Sequence, residues 1–262
     1  MSTSKYALRD TRTMLRRNLK RILRYPSMTL IVVAIPVVFL LLFVYVFGGT
    51  VGDGIGGVGG RAEYVNYVTP GILLFGVVGA ATSTAVTVAM DMTEGIVARF
   101  RTMSIFRPAI LTSHVVASVV QQVVSSALVL GVALLIGFDP NANFGQWMGA
   151  IGVFLLFVLA VTWFGVGIGL ASKSVESASN APMPLMLLPF LGSGFVPTDK
   201  MPAWLGWFAD NQPFTPVIET MRGLLMGTHV GGDAIAAIAW CVGISVACFV
   251  WARRRINREP GH

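Results

Sequence analysis

Charged side chains are scarce in this sequence and nearly missing from its longest stretches. Only 12% of the residues are Asp, Glu, Lys or Arg, against 55% apolar. That balance excludes an ordinary soluble domain, in which about a quarter of the residues are charged. Histidine and cysteine are scarcer. His114, His229 and His262 are scattered, and none has a second His or Cys three or four residues away. Cys241 and Cys248 stand two helical turns apart in one apolar run, too far for a disulfide within a helix, and read as packing residues. No H-E-x-x-H, C-x-x-C or G-x-S-x-G string occurs, so the usual zinc, dithiol and acyl-transfer sites are absent. The nearest approach to a P-loop, Gly169 to Ser174, lacks the glycine before Lys173. A chain so equipped is expected not to be an enzyme by itself.

Long apolar runs are what it has. They lie near 27–47, 66–90, 112–137, 147–171, 180–195 and 234–252. Most are long enough for a helix to cross a hydrocarbon core, which takes about 20 residues. Sixteen of the nineteen basic residues fall on one side of these runs: eight between Lys5 and Arg24, then Arg99, Arg101, Arg107, Lys173, Arg253, Arg254, Arg255 and Arg258. Only Arg61, Lys200 and Arg222 fall on the other. Basic-rich loops stay in the cytoplasm, so both termini are expected inside, with six crossings between them. The net charge of +7 is therefore a topology signal and does not imply nucleic acid. The first run begins after residue 26 and exceeds a signal-peptide core of about 7–15 residues, so it is expected to be retained as an anchor.

Residues 5–24 place Leu8, Leu15, Leu19 and Ile22 on one stripe with basic residues on the flank and back. That pattern suits a helix lying in the inner membrane interface. Between the first two runs comes a glycine-rich loop in which Gly52, Gly54 and Gly57 match G-x-G-x-x-G. A dinucleotide site needs that motif between a strand and a helix, and here it joins two spans. Small residues recur four apart at Gly76, Ala80 and Thr84, and again at Gly165 and Gly169. Such faces let membrane helices approach closely, within one subunit or between two.

Coupled ion carriers need carboxylates at mid-membrane. The most polar mid-span cluster here is Gln121, Gln122, Ser125 and Ser126. An energy source outside the membrane is implied, and the inner segment 91–108 is the candidate link, an amphipathic pattern suited to docking in a groove. The fifth run is interrupted by Pro182, Pro184 and Pro189, then by Gly192 and Gly194. After it, the stretch 195–216 is too rich in proline to span, yet holds Trp204 and Trp207. It is expected to dip into the outer leaflet with the tryptophans at headgroup depth.

The loop EGIVARFRTMSIFRPAIL and the later FVPTDKMPAWLGWFADNQPFTPVIETMRGLLMG resemble type-2 ABC exporter permeases, closest to the daunorubicin-resistance group of drug-efflux permeases. The resemblance covers nearly the whole chain. It implies an all-α integral membrane fold: an interface helix in 1–26, a six-span domain in 27–252 and a cytoplasmic tail in 253–262. Glu94, Gly95, Arg99, Arg101 and Arg107 would couple to an ATP-binding subunit. Pro197, Pro202, Trp204, Pro213 and Arg222 would belong to re-entrant helices in 196–222 that shape an outer gate. This sequence has Ser104 where the family often has proline, a departure that bears on the docking angle of the coupling element. The implied function is ATP-driven efflux of hydrophobic drugs across the plasma membrane by alternating access. ATP and magnesium would sit on the partner ATPase, and a second six-span permease, alike or different, would complete the pathway. Lipid or lipid-linked glycan export is the alternative within this fold. A channel or a membrane scaffold without a transport cycle is the alternative outside it.

Overall fold

The structure is a computed structural model that describes residues 26–49, 60–93 and 107–258. The interface helix, the glycine-rich loop, most of the inner segment 91–108 and the last four residues lie outside the described residues. Within the described residues the chain is helical and contains no strand. Five helices among them are long and apolar enough to cross a membrane, at Leu30–Phe47, Gly60–Thr93, Leu111–Leu135, Phe144–Ala171 and Asp233–Arg255. These coincide with five of the six runs read from hydropathy.

Helix α1 (Pro26–Leu42) runs on into a π-helical turn, Phe43–Phe47. Pro36 lies inside it and has no N–H to give to the carbonyl four residues back. That carbonyl belongs to Val32, and Ser125 Oγ of α3 (Arg107–Leu135) donates to it at 3.4 Å. Helix α2 (Gly60–Thr93) is the axis of the molecule. Its 34 residues extend for about 50 Å at 1.5 Å each, and most of its side chains are buried. It touches α1, α3, α4 (Phe144–Ala171), α5 (Val175–Asn180), α6 (Met183–Leu187) and α8 (Phe214–Met226).

The small residues explain how closely α4 approaches α2. A Cβ on Gly165 would lie 2.6 Å from the Ala81 carbonyl oxygen, and one on Gly169 would lie 2.6 Å from that of Ala85. These two glycines thus pack within the chain, which answers a question that spacing leaves open. The far side of α4 takes α9 (Asp233–Arg258), where the Trp251 ring fills the space that a Cβ on Gly167 would need. Helix α4 starts with a capping box in which Gln146 N donates to Asn143 Oδ1 and Asn143 N donates to Gln146 Oε1. Arg255 of α9 closes its other end by donating to the Leu170 carbonyl at 3.0 Å, a fitting place for a cation.

The fifth apolar run is interrupted, as its prolines and glycines lead one to expect, and forms no continuous helix, so the described residues hold five long apolar helices where six crossings were expected. It is divided among α5, α6 and a series of turns that continues through Phe195. Pro182, Pro184 and Pro189 interrupt the backbone ladder, and Gly192 and Gly194 loosen it further. The segment nevertheless follows α2 along its length. Ala178 packs with Ala85 and Ala89, Met186 reaches Gly79, and Gly194 meets Gly71. After it come a 3-10 turn (Thr198–Lys200), the exposed helix α7 (Ala203–Asn211) and the buried helix α8.

Candidate functional site

The densest polar cluster among the described residues forms where α8 and the broken segment meet the Gly60 end of α2. Arg222 projects from α8 and lies 3.8 Å above the centre of the Tyr67 ring. Its Nη2 donates to the Ser193 carbonyl at 2.7 Å and its Nε to the Tyr67 carbonyl at 3.3 Å. Its Nη1 pairs with Glu219, one helical turn earlier. Tyr67 Oη donates to the same Ser193 carbonyl at 2.9 Å, and Tyr64 Oη to the Phe195 carbonyl at 3.3 Å. From the start of α8, Thr215 Oγ1 accepts from Ser193 N at 3.4 Å, and from the end of α7 Gln212 Nε2 donates to the Leu188 carbonyl at 2.9 Å.

These contacts have one physical cause. A broken helix leaves carbonyls that a continuous one would have satisfied. In a membrane protein such backbone is tolerated only when other protein groups replace the missing partners. Glycine supplies the close approach. A Cβ on Gly71 would lie 2.5 Å from the Gly194 oxygen, and one on Gly192 would lie 2.3 Å from Gln212 Nε2. Beneath the turns, Phe190 stacks on Phe195 with ring centres 4.5 Å apart, and Phe43 of the π-helical turn lies 4.5 Å from Phe195. Helix α8 ends at Gly227, whose φ of +69° suits glycine best.

Of the residues expected at an outer gate, Arg222 alone belongs to this network. Pro197, Pro202 and Pro213 stand immediately before the 3-10 turn, α7 and α8, where a fixed φ sets the direction of the next element. Trp204 is 73% exposed on α7, and Trp207 is 70% exposed. Sequence pattern does not single out Tyr64, Tyr67, Ser193 or Glu219. The aromatic pair three residues apart at the start of a span is the available signal, but nothing local ties it to residues more than a hundred positions away. Glu94, Gly95, Arg99 and Arg101 lie outside the described residues, and Arg107 opens α3.

Two apolar grooves flank α4. One, of about 260 Å³, is bordered by Phe157, Phe164, Phe214 and Trp240. The other, of about 250 Å³, is bordered by Val123, Trp147, Phe154 and Met221.

A family model described as ABC-2 type transporter matches residues 9–226. The chain belongs to the ABC-2 type transporter family. This ABC-2 chain is 29% identical over 255 residues to the daunorubicin resistance ABC transporter permease protein DrrB1 of Streptomyces coeruleorubidus, covering 97% of this chain and 87% of the relative. It is also 24% identical over 183 residues to a probable doxorubicin resistance ABC transporter permease protein, DrrC, of Mycobacterium tuberculosis, covering 70% and 66%. Family and long apolar helices together make it a multi-pass protein of the cell membrane.

Proposed function

We propose that this ABC-2 chain is the permease subunit of an ATP-driven exporter that removes hydrophobic drugs from the cell by alternating access. The observation that carries the reading is the near end-to-end similarity to a daunorubicin resistance permease. The two apolar grooves suit an amphiphilic substrate, since pockets for such molecules are mostly apolar. A separate ABC subunit binds ATP and magnesium, and a second permease completes the pathway. Both termini are cytoplasmic. The broken segment makes the fifth of six crossings, α7 and α8 are the outer re-entrant elements, and the Arg222 network holds the gate shut at that end.

Retention of daunorubicin in cells tests the proposal. Cells carrying this chain and its ATP-binding partner are expected to retain less drug than cells carrying either alone, and a partner unable to hydrolyse ATP is expected to abolish the difference. Equal retention in all strains, with an assembled complex in the membrane, would favour lipid or glycan export instead. Glu94→Ala with Arg101→Ala is expected to leave insertion intact but lower drug export and partner recovery. Unchanged values for both would remove these residues from the coupling role.

A further inference from the structure

Near the Thr93 end of α2, a second polar cluster takes no part in the network around Arg222. His114 Nε2 of α3 lies 3.1 Å from Asp91 Oδ2 of α2, with both side chains almost fully buried. Four residues along α3, Ser118 Oγ lies 2.8 Å from Thr84 Oγ1. Four further on, Gln122 is buried against α2, its Nε2 3.7 Å from where a Cβ on Gly76 would lie. His114, Ser118 and Gln122 therefore occupy one face of α3 at helical spacing. The first two bond α3 to α2, and the Gln122 side chain packs against α2 without a hydrogen bond of its own among the described residues.

We infer that Asp91 and His114 are positioning residues that lock α2 and α3 into one lever, so that movement of the segment joining them is passed to both helices together. The inference rests on the ATP-driven reading above. The joining segment leaves α2 two residues after Asp91 and enters α3 seven residues before His114. Separating the two gives up a hydrogen bond between buried polar groups, so the pair resists independent motion of the two helices. Apolar contacts alone would let them slide at little cost.

Two measurements on the full complex with its ATP-binding subunit test the lever. In a background with Cys241 and Cys248 replaced by alanine, spin labels at Thr93→Cys and Thr112→Cys report the separation of the two helix ends. The expected distribution is narrow and the same without nucleotide and with ATP trapped, and it broadens on His114→Ala. A separation that changes between the two states of the otherwise unaltered chain would overturn the lever. The second readout is drug exported per ATP hydrolysed. His114→Ala and Asp91→Asn are expected to lower that ratio about fivefold or more, while the exchange Asp91→His with His114→Asp recovers part of it. An unchanged ratio in both single variants also overturns the inference. Should the unaltered complex export no drug, the proposed function fails, and the distance measurement still decides the lever.

Discussion

Arg222 illustrates what one residue does when a membrane helix is interrupted. Its guanidinium reaches two carbonyls on different segments and a carboxylate on its own helix. A lysine retains the charge but lacks the planar fork. Arg222→Lys is therefore expected to cost about 2 kcal/mol, the scale of a hydrogen bond to a charged group, read as lower thermal stability of the purified chain. Equal stability would mean that the charge alone matters. Glycine offers a sharper contrast. Gly165→Val drives a side chain against the Ala81 carbonyl, whereas nothing lies within 4 Å of a Cβ on Gly152. The first substitution is expected to lower the yield of folded protein several-fold, and Gly152→Ala to leave it unchanged. Equal yields would show that α2 and α4 can part at this point without loss.

Among the elements, α7 and α8 are neighbours with opposite surroundings. Phe214, Val217, Ile218 and Met221 of α8 are buried in the core, while Trp204 and Trp207 of α7 project outward. Tryptophan belongs at the boundary between lipid and water. With the other four tryptophans of the six replaced by phenylalanine, the fluorescence of Trp204 and Trp207 is expected to be quenched by lipid-borne quenchers. Quenching by aqueous agents alone would place α7 in water. The exposed tryptophans and their bounding prolines were legible in the sequence. The burial of α8 was not, because it depends on α2 and α4 being near.

For the whole molecule, the distribution of basic residues predicts a definite orientation. In a cysteine-free background, His229→Cys is expected to react with an impermeant maleimide applied to intact cells, and Lys173→Cys only after the cells are opened. Both positions are exposed. The reverse pattern would invert the orientation read from the charges.

Local hydropathy, proline chemistry and the placement of charge were enough to establish a helical membrane protein, to place the five apolar runs that form long helices among the described residues, and to mark the punctuation after residue 195. Packing settled the rest: Gly165 and Gly169 face α2, the fifth run follows α2 as a broken path, and Asp91 meets His114. Of the polar network on the Gly60 side, only Arg222 was legible as a site residue and Gln212 as part of a motif, because the partners are mostly carbonyls that every residue carries. In lipid an apolar face costs as little against a neighbour as against the bilayer, so hydropathy cannot tell the two apart. Only the fold brings together Tyr67 and Arg222, which are 155 residues apart.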